Sequence, residues 1–201
     1  MKPNHIVLDL ETQNLFSDVG GKGNLHKLLV SVAGVYSHNS DQFLIYKEAE
    51  MPELEKLLRQ TDLIIGFNIR HFDLLVLQKY ISFDLARIPT LDIMADIVNQ
   101  VGYRVSLDDV VFATLGNKKS AHGLLAVQYW REGRLDELKN YCLDDVRLTR
   151  DLYEHGAKSG EIRFMARDAN MPYMKSLNVN WEKYLNGRST SSPVIQSSLG
   201  F

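Results

Sequence analysis

Cysteine is nearly absent: the 201-residue chain holds one, Cys142, together with only five prolines and two tryptophans. A single cysteine excludes an intramolecular disulfide framework and fits a reducing compartment, so the cytoplasm is the expected location. No apolar run reaches the length that spans a bilayer. The longest, Leu28 to Tyr36 and Leu63 to Phe67, are strand-sized. The opening MKPNHIVLDLET has one Lys and no long apolar segment before its first acidic residue, so no secretory leader is predicted. An excess of basic charge is also missing, with 23 Lys and Arg against 25 Asp and Glu. That balance argues against tight non-specific binding to long duplex DNA, which needs many phosphate contacts. It does not exclude a phosphodiester substrate, because acid that lines a cation site is neutralised once the cations bind. A content of 45% hydrophobic and 24% charged residues is that of a globular protein. The length suits one domain with a short appendage.

Residues 5–10, HIVLDL, read as a strand closed by polar residues. Thr12 to Lys27 holds three glycines with Asn, Ser and Asp, and reads as a loop. Residues 28–37 and 42–46 form two further strands around the turn-like HNSD. Pro52 suits the first turn of a helix with Leu54, Leu57 and Leu58 on one face. DLIIGFN supplies a buried strand, and HFDLLVLQKY and Asp92 to Val101 read as helices. Ser106 is an expected N-cap and Gly116 the matching terminator. Residues 135–155 carry the clearest helical pattern, with apolar positions recurring every three or four residues and Gly156 expected as the stop. The order predicts an α/β fold in which a meander opens a mixed sheet. Residues 1–160 are expected to form that domain. Residues 161–201 are expected to form a small two-stranded appendage followed by a loosely held Ser-rich tail.

Three acidic patterns stand out. In Asp9-Leu10-Glu11 the carboxylates are two apart, so on a strand they share a face while Leu10 packs behind. Two such groups repel unless a cation lies between them, and Mg²⁺ and Mn²⁺ favour oxygen ligands. Taken alone, the pair reads more simply as solvated acid at a strand exit, since short acidic pairs are common. Asp73 follows the buried strand, a position where α/β folds place ligand-binding groups. A helix-dipole role would explain Asp73 but not Asn68 or Phe72, whose amide and ring suit a splayed single strand. Tyr141 and Asp145 lie one turn apart on the late helix. Asp145 sits in register with its apolar stripe, where an unpaired carboxylate is costly. Asp144 falls on the solvent side.

Together these patterns resemble the DEDDy 3′→5′ exonucleases of the ribonuclease H-like superfamily. The family's D-x-E, N-x-x-x-[FY]-D and Y-x-x-x-D motifs are matched by Asp9 to Glu11, by Asn68 to Asp73 (NIRHFD) and by Tyr141 to Asp145 (YCLDD). The His subgroup would need histidine at position 140, which is Asn140. The likeness covers roughly residues 5–155 and is closest to stand-alone exonucleases related to the proofreading domain of family B DNA polymerases. SLDDVVFATLGNKKSAHG looks like the linker before the third motif in those domains. The resemblance implies a ribonuclease H-like three-layer α/β fold with a five-stranded sheet. It also implies two divalent cations, Mg²⁺ or Mn²⁺, held by Asp9, Glu11, Asp73 and Asp145, about 4 Å apart. Asp9 would bridge them, Glu11 and Asp145 would hold the ion bearing the nucleophile, and Asp73 would act mostly through water. Tyr141, with an ordinary pKa of about 10, is a poor base and would orient the attacking water. The implied substrate is single-stranded DNA or RNA with a free 3′ end, released as nucleoside 5′-monophosphates.

Leu10 and Thr12 would contact the terminal nucleotide, although Thr12 equally suits a cap on the following loop. Asn68 and Phe72 are the stronger substrate contacts. Lys118 and Lys119 read either as phosphate ligands or as a solvated loop. His71 and His122 match no motif position. Asp92, Asp96, Asp108 and Asp109 read as helix-start and surface charges. Tyr129, Trp130 and Phe112 read as core, and Cys142 as a buried apolar residue. A catalytically silent binding module and an endonuclease on the same fold are the rival readings.

Overall fold

The chain enters its sheet at the centre. β1 (His5–Thr12) pairs antiparallel with β2 (Val30–Ser37), which pairs antiparallel with β3 (Gln42–Lys47). After α1 (Met51–Leu58), β4 (Leu63–Gly66) returns parallel to β1. α2 (Asp73–Leu77) then precedes a three-residue strand, β5 (Thr90–Asp92), parallel to β4. The spatial order is β3-β2-β1-β4-β5. The structure, a computed structural model, describes residues 4–117, 124–168 and 171–185. Lys118, Lys119, His122 and the Ser-rich stretch 186–201 lie outside the described residues.

Helices cover both faces, because the central strands alternate apolar side chains to either side. Ile6, Leu8, Leu10 and Ile64 join Met51, Leu54 and Leu58 of α1 in one core. Val7, Ile65 and Leu91 face the opposite core, with α3 (Ile93–Val101), α4 (Leu107–Leu115) and α6 (Leu135–Ser159). α5 (Leu124–Arg131) packs beside α6. The result is the expected ribonuclease H-like three-layer α/β architecture. Ser106 caps α4 by accepting the Asp109 N–H at 3.1 Å, and Gly116 closes it in the left-handed region.

β6 (Glu161–Asp168) and β7 (Met171–Asn178) form an antiparallel hairpin, followed by α7 (Glu182–Leu185). Ile162, Phe164, Leu177 and Trp181 are buried in the same core as α4 and α6. Here the expected helix stop is corrected. α6 runs through Gly156 to Ser159, and Gly160 (φ 72°) ends it. Gly156 is glycine because the Trp181 ring lies on it: a Cβ there would sit 2.5 Å from Cζ3. Two more expectations fail. The loop after β1 contains short 3-10 turns at Phe16–Val19 and Lys22–Lys27. Phe112, expected in the core, faces outward on α4 and is 43% exposed.

Candidate active site

At Asp9 the burial pattern of β1 changes from continuous to alternating, so Asp9 and Glu11 open toward one face while Leu10 and Thr12 stay buried. That face is the one α6 covers. Tyr141 and Asp145 are both buried on the inner side of α6. One carboxylate oxygen from each of Asp9, Glu11 and Asp145 lies within 4.8 Å of the others. The fold thus brings Asp145 beside two residues that precede it by 134 and 136 positions in the chain. Tyr141 shares an apolar cluster with Val32, the cross-strand neighbour of Glu11.

Asp73 is not one of these three; it is buried and tied to the strand between Asp9 and Glu11. The β1–β4 ladder ends at Val7↔Ile65, and beyond it the Leu10 N–H donates to Asp73 Oδ1 at 3.0 Å. Burial pushes the Asp73 carboxyl up to about 8, and the nearby charges of Asp92 and Asp145 add to this against two backbone hydrogen bonds. Acids this close repel one another when ionised, and positive charge placed among them relieves that repulsion. An all-oxygen, partly buried donor set therefore fits a hard divalent cation. Asp144, as expected, lies outside the group and pairs with Arg147. The Cys142 thiol is pushed well up, first by burial and then by Asp9, Glu11 and Asp145, and the side chain is fully buried, as expected of a small apolar residue.

The substrate-contact candidates fall into two sets. Leu10 points into the core, and the Thr12 hydroxyl donates to Asn14 O at 2.8 Å, holding the loop. Asn68 and Phe72 belong to the tight turn after β4. Gly66 opens that turn, where any Cβ would lie 2.6 Å from Ile69 Cδ1, and Asn68 adopts φ 65°. Phe72 meets Phe16 edge-on, with centroids 5.8 Å apart. Lys22 Nζ lies 5.8 Å from the centre of the Phe16 ring. His71 is exposed.

One organising residue was read only in part and another was missed. Asp92, expected as a helix-start and surface charge, is 3% exposed. Its Oδ1 accepts from Asn68 N at 2.9 Å and Ala95 N at 3.2 Å, and its Oδ2 accepts from Arg70 N at 3.0 Å. It caps α3 and at the same time fixes the turn that carries Asn68. Arg104 reaches Asn68 Oδ1 at 2.6 Å. The cap was legible from the helix start, but the contact across to residue 68 left no local pattern.

A model of the RNase H superfamily matches residues 6–157. The chain belongs to that superfamily. The match spans β1 through nearly all of α6, the segment that contains all three motifs. Comparison with curated proteins returns no match. For an RNase H superfamily member, the Asp9, Glu11 and Asp145 group is an acidic cluster that fits metal-dependent nuclease chemistry. No helix among the described residues is long and apolar enough to cross a membrane.

Proposed function

We propose that the protein is a 3′→5′ exonuclease of the DEDDy type, hydrolysing single-stranded DNA or RNA to nucleoside 5′-monophosphates. The observation that carries this reading is the convergence of Asp9, Glu11 and Asp145 to within 4.8 Å, with Asp73 hydrogen-bonded to the strand between the first two. These four carboxylates would hold Mg²⁺ or Mn²⁺. When bound, such ions lower the pKa of an attacking water and stabilise charge on the leaving oxygen.

The protein's own groups do the rest. Tyr141, one turn before Asp145, orients the water. Asn68 and Phe72 hold the terminal nucleotide, with Phe72 offering a ring face or edge to the base. The oxygen of water bonds to phosphorus and the P–O3′ bond breaks. The displaced 3′-oxygen takes a proton, and the 5′-monophosphate leaves.

The test uses matched DNA and RNA oligonucleotides labelled at the 5′ end, with Mg²⁺ or Mn²⁺. A ladder shortening from the 3′ end, with free mononucleotide and an intact circular single strand, is expected. Cleavage of the circle points to an endonuclease. No release under either ion points to a binding module.

A further inference from the structure

Gly34 lies inside β2, directly opposite Asp9 on β1. Glycine in a strand interior weakens the strand and calls for a reason, commonly the close approach of another element. Backbone conformation is not the reason, since Gly34 is not among the positive-φ residues. Space is. A Cβ at position 34 would lie 2.9 Å from Cys142 Sγ, 3.0 Å from Val146 Cγ2 and 3.4 Å from Leu143 Cδ2, all on α6. The Cys142 sulfur lies 3.6 Å from Asp9 O and 3.9 Å from Asp9 Oδ2.

We infer that Gly34 is a positioning residue for the cation site: its missing side chain lets α6 descend onto the sheet at Cys142, and this depth sets how near Asp145 comes to Asp9 and Glu11. Cys142 and Asp145 are three residues apart on one helix face, so a shift at one is carried to the other. Neither colliding side chain can swing aside easily. Cys142 is fully buried, and Val146 is fully buried and β-branched, with few χ1 choices. To restore ordinary separations of about 3.5–4.0 Å, α6 must rise by roughly 0.6–1 Å. Mg²⁺ demands near-ideal geometry at about 2.0–2.1 Å, whereas Ca²⁺ accepts a looser shell at about 2.3–2.6 Å. A raised helix therefore weakens Mg²⁺ binding more than Ca²⁺ binding.

The inference rests on the reading that these carboxylates hold a divalent cation, and it is tested without nucleic acid. Mn²⁺ binding to the full chain is followed by loss of the free-ion electron paramagnetic resonance signal, with Mg²⁺ and Ca²⁺ as competitors. Asp9→Asn serves as the control that assigns the signal to this site. Gly34→Ala is expected to weaken Mg²⁺ competition about tenfold, the lower end of what supporting residues contribute, with a smaller change for Ca²⁺. The double variant Gly34→Ala/Cys142→Ala, which removes the nearest obstruction, should recover part of that loss. If Gly34→Ala does not fold, Cys142→Val crowds the same gap from the helix side and should shift the Mg²⁺/Ca²⁺ ratio the same way. A folded Gly34→Ala with the parent's Mg²⁺ affinity, an equal loss for both ions, or a double variant no better than the single overturns the inference. A parent that binds no cation overturns it together with the site reading. A parent that binds the cation but degrades no oligonucleotide refutes the nuclease alone.

Discussion

Replacing Asp92 by Asn isolates the strut between α3 and the turn that carries Asn68 and Phe72. Asparagine keeps one oxygen in the Oδ1 position, so the bonds from Asn68 N and Ala95 N, and with them the cap of α3, survive. The amide nitrogen takes the place of Oδ2 and faces the Arg70 N–H, donor against donor. A hydrogen bond to a charged acceptor contributes about 1.5–3 kcal/mol, and the stranded N–H costs a comparable amount if buried. Arg70 N is only partly buried, so a loss of about 2–3 kcal/mol is expected. For a protein of 201 residues that lowers Tm by about 4–12 °C. In oligonucleotide degradation, KM should rise while kcat changes less if the turn contacts the terminal nucleotide as proposed, since Asp9, Glu11 and Asp145 lie on other elements. Thermal unfolding by circular dichroism and steady-state kinetics read the two effects. A variant that melts with the parent and keeps its KM would refute the claim that this carboxylate holds the turn.

Asp9→Ala should abolish metal-dependent turnover with the fold retained. Tyr141→Phe should slow turnover about 10- to 100-fold, at or below the low end of the range for a group that transfers the proton itself; steady-state kinetics under Mg²⁺ and Mn²⁺ checks both. Gly156→Ala forces a methyl into the Trp181 ring and should cost about 1–3 kcal/mol, read as a lower denaturant midpoint. His5 and His38 both have pKa values below the ordinary 6.5, mainly because burial disfavours the charged ring. As pH falls, the unfolded chain therefore takes up protons first. Their contribution to stability is present above pH 6.5 and is lost as pH falls toward the folded-state values. His38→Gln should flatten the decline in Tm below pH 6.5, and an unchanged pH profile would refute that assignment.

Much of the site was legible because its geometry is local. Two carboxylates two residues apart on a strand must share a face, and a tyrosine and aspartate four apart on a helix must stack. Neither inference needs to know what lies opposite. Burial of Asp145 followed from its register with the stripe of Leu138, Cys142 and Val146. What stayed hidden depends on non-local partners. β5 is three residues long, too short to show alternation, and only its pairing with β4 makes it a strand. Asp92 ends that strand, so its burial could not be read from the helix it caps. Gly156 looked like a terminator because glycine ends many helices, and only Trp181, 25 positions away, reveals it as a packing notch.

That notch ties the far segment of the chain to the ribonuclease H-like body. Trp181 fills the hollow over Gly156, stacks near Tyr153 and donates its indole N–H to Asp96 at 2.6 Å, so one ring joins α6 to α3. A shortened version of the protein ending after β7 would keep every motif residue yet leave a ring-sized void between those helices. Such a truncation should be treated as core surgery, not as trimming a tail.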